Sequence, residues 1–466
     1  MSGGRGQVAL PARIVVAGTH SGAGKTSVAT GLAAALVAAG HRVATAKVGP
    51  DFIDPGYHAV ATGRPGRNLD AWMSGAGAVP ALAERAAGDA DVLVVEGVMG
   101  LFDGAASAVP GAVDPDRDDA STAHVARLLD APVVLVVDAA SMSRSVAAIV
   151  HGFVAFDPDV RVAGVVLNRV GSAGHEQLLR SALAPLGVPV LGVLRRDDAF
   201  AWRDRHLGLV PVVEQRAEVG ESVARLAAAV AAGCDLEAVV ALARTAPPVV
   251  SGSPLPAAQR VVEGPGPPLR IAVAGGSAFS FSYPDNLERL AETGAEVVPF
   301  DPLVDPALPE GVAGLVVGGG FPEVFGAALA DNVPLLADVA ARVRAGLPTW
   351  AECGGLLWLA RSLDGHAMAG VLSADGVMTD RLSLGYRSAV ALVDTPIGPA
   401  GTELRGHEFH YSQLTPPGSA LHLEGRFGSG DAGHASPTLL ASYLHVHLGA
   451  DPTPAERFVA TCLATR

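Results

Sequence analysis

Lysine is nearly absent from this chain. Of 33 basic residues among 466, only Lys25 and Lys47 carry an ammonium, and all the others are arginine. Cysteine is scarce too. Cys234, Cys353 and Cys462 are an odd, scattered set of three, which makes no disulfide framework and suits a reducing compartment such as the cytoplasm. No apolar run approaches the roughly 18 residues that span a bilayer, and the stretch 8–18, broken by Pro11 and Arg13, reads as a strand and not as a secretory signal. Positive charge is also in deficit: 33 basic against 47 acidic side chains gives a net charge of −14. That balance argues against non-specific nucleic-acid binding and against an anionic membrane surface, both of which need excess Lys and Arg. Any polyanionic ligand must therefore find a local basic patch.

What is present is the composition of packed globular protein, 49% apolar and 17% charged, in a chain long enough for two or three domains. Arginine serves almost everywhere, so the two lysines mark places where a compact, flexible ammonium is wanted. Both lie in the first 50 residues, close to glycines.

Apolar runs of strand length at 13–18, 42–48, 91–95, 132–138, 161–167 and 189–194 alternate with helix-compatible segments, the pattern of an α/β fold with a parallel, doubly wound sheet. The region 1–244 is read as one domain. Residues 245–268, rich in proline without any period, read as a linker. A second α/β domain is expected over 269–466, with strands at 269–274, 296–300 and 315–317, a helix from Pro284, and a strand-to-helix junction at 348–359.

The run GTHSGAGKT follows the first strand and opens a helix, the context of a phosphate-cradling loop. Gly22 and Gly24 let backbone N–H groups approach phosphate oxygens, Lys25 reaches the β and γ oxygens, and the Thr26 hydroxyl is a candidate Mg²⁺ ligand. The pattern's first glycine position holds Thr19, with Gly18 one residue earlier. ATP is the expected nucleotide. After the second strand comes KVGPDFIDPGYH, with Lys47 followed by two carboxylates, and after the third EGVMGLFDG, with Glu96 and Asp103. Ligands gather at the carboxyl edge of such a sheet, so Asp51 and Glu96 are the candidate Mg²⁺ carboxylates.

In the second domain, Cys353 in AECGGLLWL sits between an extended run and an apolar helix, an elbow that exposes a nucleophile over a helix N-terminus. Upstream, Gly318, Gly319 and Gly320 end a strand and offer bare N–H groups for an oxyanion hole. Downstream, SYLHVHLG offers His445 as a base.

These segments resemble the cobyrinate and hydrogenobyrinate a,c-diamide synthase family, glutamine-dependent ligases of corrinoid (cobalamin) biosynthesis, over nearly the whole chain. The amino-terminal half is similar to P-loop amide ligases related to dethiobiotin synthetase, whose loop shares the displaced first glycine. KVGPDFIDPGYH and EGVMGLFDG look like the a,c-diamide branch, while SFSYPDNLERL, GGGFPEVF, AECGGLLWL, GHEFHYS and SYLHVHLG resemble that family's class I glutamine amidotransferase domain. The resemblance implies ATP- and Mg²⁺-dependent phosphorylation of a corrinoid carboxylate, with ammonia released from L-glutamine by Cys353 and His445. Many triad glutaminases carry Glu two positions after this histidine. His447 is there instead, so a Cys–His dyad is expected and the third member stays open. The resemblance also puts Asn168 at the adenine. Asp103 and Tyr57, with a docking patch of Arg64, Arg67, Arg195, Arg196, Arg203 and Arg205, are the substrate candidates. Competing readings are a different tetrapyrrole, such as nickel sirohydrochlorin, and a P-loop switch ATPase with an inactive amidotransferase-like domain. The metal content of the macrocycle, the order of amidation, the path of ammonia and assembly into a homo-oligomer are left open.

Overall fold

The computed structural model describes residues 7–8, 10–105, 119–196, 204–205, 208–209, 211–214, 216–250, 254–262, 267–426 and 428–466. They form two compact units that meet in sequence at Pro254 and Leu255.

The first unit is built on seven parallel strands: β1 (Ala12–Gly18), β2 (Val43–Val48), β3 (Arg67–Leu69), β4 (Val92–Glu96), β5 (Val133–Asp138), β6 (Val162–Val170) and β7 (Val190–Arg195). Their spatial order is β3-β2-β4-β1-β5-β6-β7. Val, Leu and Ala make up most of β2 and β4, every residue of which is buried, Lys47 and Glu96 included. Such strands lack inside-outside alternation because helices cover both faces of a parallel sheet. The strands expected from the apolar runs are thus present, joined by the short β3, whose three residues were too few to stand out.

Helix α1 (Lys25–Ala38) follows β1 directly, and α2 (Asp54–Thr62) follows β2. Helix α3 (Arg216–Gly233) packs along α1. At their crossing, a Cβ on Gly31 would lie 2.8 Å from Val230 Cγ2 and 3.2 Å from the Leu226 carbonyl oxygen. This approach fixes the helix that carries the phosphate loop.

The proline-rich segment 245–268 is divided between the units. Val249–Val250 pairs antiparallel with Gln7–Val8 in the first, while the N–H groups of Val261 and Val262 donate to Thr293 O in the second.

The second unit has a six-stranded sheet of β8 (Arg270–Ala274), β9 (Glu296–Phe300), β10 (Val312–Val317), β11 (Thr349–Glu352), β14 (His434–Ser436) and β15 (Leu439–Ser442), in the order β9-β8-β10-β11-β15-β14. Only β14 runs antiparallel to its neighbour. Helix α4 (Pro284–Glu292) follows β8, α5 (Gly354–Leu359) follows β11, and α6 (Thr453–Ala464) closes the chain. Trp358 in α5 is completely buried, its ring centroid 5.5 Å from Phe279 and 6.5 Å from Phe300. A second, largely antiparallel sheet rests on the long hairpin of β12 (Asp375–Ala391) and β13 (Glu403–Thr415), whose edge receives β16 (His445–Val446). The sequence reading did not resolve this hairpin, which carries GHEFHYS.

Alanine ordinarily stabilises a helix interior over glycine by about 1 kcal/mol. At position 31 the overpacking cost of about 1–3 kcal/mol wins, because neither a valine methyl nor a carbonyl can swing aside. Gly31→Ala should lower the urea midpoint with an unchanged m value, and an equal or higher midpoint would contradict this packing.

Candidate active sites

The first site assembles at the carboxyl ends of β1, β2 and β4. Gly22 and Gly24 have φ of 84° and 96°, conformations that glycine tolerates best. Gly18 ends β1, where a Cβ would meet Lys25 Cγ at 2.9 Å. The displaced glycine of the sequence pattern thus makes room for the lysine stem. Lys25 folds back to donate to the His20 carbonyl at 3.3 Å. Burial, and then Lys47, lower its pKa to about 8, against the opposing pull of Glu96, Asp54 and Asp103.

Lys47 is the centre of a buried ionic cluster. Its Nζ lies 2.6 Å from Asp54 Oδ2 and 2.7 Å from Glu96 Oε1, and donates to the Gly97 carbonyl at 3.1 Å. The Thr26 hydroxyl donates to Glu96 Oε1 at 2.6 Å and reaches Asp54 Oδ2 at 3.3 Å. His58 Nε2 lies 2.7 Å from Glu96 Oε2. Burial pushes the Glu96 carboxyl up, but Lys47 and His58 outweigh it and hold the group below the usual carboxylate range. Asp54 goes the other way: burial, then the charges of Asp51 and Glu96, raise it despite Lys47.

Asp51, expected as a metal carboxylate, spends Oδ1 on the N–H groups of Ile53 (2.7 Å) and Asp54 (2.9 Å) at the start of α2. Asp54 is the second carboxylate after Lys47 and the one that touches Thr26 and Lys47. It was missed, as was His58, although their i, i+4 spacing in α2 puts both on one face. Asn68, on β3, donates to the carbonyls of Gly49 and Asp51 and holds this loop.

The other nucleotide and substrate candidates have local engagements. Asn168, assigned to adenine by resemblance, is buried and donates from Nδ2 to Ala23 O at 2.9 Å, bracing the phosphate loop. Asp103 is exposed and accepts from Gly100 N–H. Tyr57 is buried in the core, not displayed to a substrate. The arginines do not form one patch. Arg64 pairs with Asp89 at 2.6 Å, and Arg67 is on β3 at one edge of the sheet. Arg195 pairs with Glu176 at 2.7 Å at the end of β7, the opposite edge, with Arg196 exposed beside it. Six strand spacings separate the two edges, roughly 29 Å at ~4.8 Å each. Arg203 and the side chain of Arg205 lie outside the described residues.

The second site is the turn from β11 into α5. Cys353 has φ 48° and ψ −98°, strained for a residue with a Cβ and characteristic of a nucleophile at a sharp strand-to-helix turn. The glycine loop lies against it. A Cβ on Gly354 would come within 3.0 Å of Gly320 N, and one on Gly319 within 2.6 Å of His445 Cε1, so bare glycines are required on both sides of the turn. The N–H of Gly319 is already used by the Phe281 carbonyl at 3.1 Å, which corrects the expectation that all three glycines offer free donors. Gly320 is the member nearest the turn.

His445 pairs in register with His407 on β13, and the two rings stack at 5.0 Å. Its Nδ1 lies 3.2 Å from Glu352 Oε2. Burial alone would lower the His445 pKa, but hydrogen bonds to Cys353 and Glu352 carry it up to about 10. Those two contacts favour the protonated ring, which lies beside Cys353. His447 faces elsewhere, with Nε2 3.7 Å from Asp285 and Nδ1 accepting from Gly449 N–H. Asn286 clamps the histidine segment, donating to Val446 O and accepting from Leu448 N–H, both at 2.8 Å. This explains Asp285 and Asn286 in SFSYPDNLERL. On GHEFHYS, His410 stacks on Tyr443 at 3.7 Å, and Glu408 pairs with Arg387 at 2.8 Å. Burial raises the thiols of Cys234 and Cys462 to about 12.

Among the described residues no helix is long and apolar enough to cross a membrane. Residues 14–210 match the family described as the CobQ/CobB/MinD/ParA nucleotide binding domain, and residues 270–453 match the CobB/CobQ-like glutamine amidotransferase domain. The chain is 50% identical to the hydrogenobyrinate a,c-diamide synthase of Streptomyces coelicolor, with 97% of each chain covered. It is 49% identical to the enzyme of that name from Thermobifida fusca, with 100% of each covered. Identity is 43% to the cobyrinate a,c-diamide synthase of Syntrophotalea carbinolica, over 97% of this chain and 98% of that one.

Nucleotide phosphates should raise the depressed pKa of Lys25. ATP binding is then expected to take up a proton above pH ~8 and to weaken as pH rises further. Calorimetry at pH 8.5 in buffers of different ionisation enthalpy measures the uptake, and none at that pH would contradict the placement of Lys25. With both sites described and similarity running the length of the chain, the protein belongs to the hydrogenobyrinate and cobyrinate a,c-diamide synthase family.

Proposed function

We propose that this protein amidates the a and c carboxylates of hydrogenobyrinic or cobyrinic acid, using ATP for activation and glutamine as the nitrogen source. The observation that carries the reading is the presence in one chain of a phosphate loop backed by the Lys47–Asp54–Glu96 cluster and of a Cys353 turn with His445 beside it. Higher identity to the hydrogenobyrinate enzymes than to the cobyrinate enzyme favours the metal-free acid.

A carboxylate is a poor electrophile. Transfer of the γ-phosphoryl group to its oxygen, with ADP leaving, gives an acyl phosphate. Ammonia then attacks the acyl carbon and phosphate departs. Lys25 and Lys47 meet the negative charge of the transferring group. Thr26, Asp54 and Glu96 present hard oxygen donors that fit Mg²⁺, and among the described residues no set of three His, Cys, Asp or Glu forms a cage. This suits an ion held by one or two carboxylates together with phosphates. When bound, Mg²⁺ supplies charge neutralisation on the phosphate oxygens.

At the other site the Cys353 thiolate attacks the glutamine amide carbon while Gly320 N–H faces the developing oxyanion. The His445 imidazolium gives its proton to the departing ammonia, then draws a proton from the water that releases glutamate.

Product mass spectrometry with hydrogenobyrinic and cobyrinic acids, each supplied with ATP, Mg²⁺ and glutamine, tests the reading. Two carboxyl-to-amide conversions are expected, and no conversion of either acid would refute it. Lys25→Ala should lower amidation from glutamine and from ammonium alike, on the order of 10³-fold. Cys353→Ala should abolish the glutamine-driven reaction yet keep the ammonia-driven rate within about twofold. Loss of both in a folded Cys353→Ala protein would contradict separate sites.

A further inference from the structure

We infer that Glu352, the residue immediately before the nucleophile, is the positioning carboxylate of the glutaminase site, in the role that many triad glutaminases give to a residue two places after the histidine. The inference rests on the Cys353–His445 glutaminase reading and adds the group that orients its histidine.

Three observations carry it. Glu352 Oε2 is 3.2 Å from His445 Nδ1, and Oε1 accepts from Val446 N–H at 3.4 Å, so one carboxylate holds both the ring and its backbone. Both side chains are buried, and a buried imidazole needs a partner for each nitrogen. His447, where a carboxylate would be sought, is turned toward Asp285.

The topology explains how a residue so near the nucleophile reaches the histidine. Glu352 ends β11 opposite Ser442 of β15, and His445 follows only three residues later. Adjacent parallel strands therefore deliver both to the same sheet edge. Glu352 and Cys353, adjacent across the strained turn, both reach the one imidazole. The far flank of Glu352 lines a cavity of about 20 Å³ with Ser282, Asn286 and Gly318.

The groups facing His445 are Cys353 and Glu352, which raise its pKa, and His407, stacked on it. His410 lies within electrostatic range. Burial, followed by His445, pushes His407 well below its ordinary value. Burial takes His410 to about 4. Both shifts are downward, and the carboxyl of Glu352 against Nδ1 leaves Nε2 as the ring nitrogen turned toward Cys353.

The test compares Glu352→Gln, Glu352→Asp and Glu352→Ala with wild type and Cys353→Ala, all full length, for glutamine hydrolysis, ammonia-driven amidation and the pH dependence of Cys353 alkylation by iodoacetamide. Glu352→Gln should lower the glutaminase kcat by about 10²-fold or more with little change in the glutamine KM. It should also move the alkaline limb of the kcat/KM profile to lower pH, move the onset of alkylation to higher pH because the cation beside the sulfur is weakened, and leave ammonia-driven amidation intact. Glu352→Asp should recover part of the rate relative to Glu352→Ala. A Glu352→Gln protein with wild-type kcat, or with reduced kcat but unmoved pH profiles, would overturn the inference. If Cys353→Ala still hydrolyses glutamine, the underlying site assignment is what fails.

Discussion

A fully buried carboxylate, Glu96, sets the terms for the first unit. Removing such a charge from water costs several kcal/mol, and it persists only where opposite charge and hydrogen bonds answer it. Glu96 ends β4, flanked by β2 and β1. Lys47 lies opposite it in the β2 register, Thr26 comes from the helix after β1, and His58 from the helix after β2. Two strand-to-helix connections, after β1 and after β2, are thereby tied to the end of β4. Losing one partner leaves charge uncompensated in the interior, at a cost of about 3–5 kcal/mol, so the cluster shapes the nucleotide site before any ligand arrives.

Close backbone approach plays the corresponding part in the second unit. Gly354 and Gly355 allow the turn to press on the loop of Gly318, Gly319 and Gly320, and Cys353, expected from the sequence to be exposed, is buried there at 6% exposure. Gly319 must be bare for the imidazole to lie over it. Behind this layer Trp358, Phe279 and Phe300 supply a rigid floor. The strained φ at Cys353 is held by Cys353 N–H donating to Ser442 O at 2.7 Å, a bond that also fixes the strand leading to His445.

The chemistry accounts for carrying both sites. Acyl phosphates hydrolyse, and free ammonia is mostly protonated at neutral pH. An enzyme that releases ammonia itself while activating the acid avoids both losses. The electrostatics fit the division of labour: lysines at a site that must accept polyphosphate, and a histidine–carboxylate–thiol set at a site that must move one proton twice.

Much of this was legible in the sequence, because strands buried on both faces are continuous apolar runs and because phosphate loops and nucleophile turns need glycines at fixed spacings. Lys25 and Cys353 stood out on those grounds, Lys47 as one of only two lysines, and Glu96 as an acid at a strand's carboxyl end. Side-chain convergence did not. Asp51 and Asp54 are equivalent in a string, and only the start of α2 at Asp54 decides that the first caps the helix and the second meets Lys47. Arginines close in number to other site residues fall on opposite edges of the sheet, since strand order is not sequence order. Glu352 was passed over beside a more conspicuous cysteine, and its contact with His445 exists because β11 and β15 are neighbours across 86 intervening residues of chain. The sequence by itself determined the elements and the reactive residue types, through local periodicity and backbone constraint. Tertiary structure alone decided which charges meet, because that depends on pairings between distant strands.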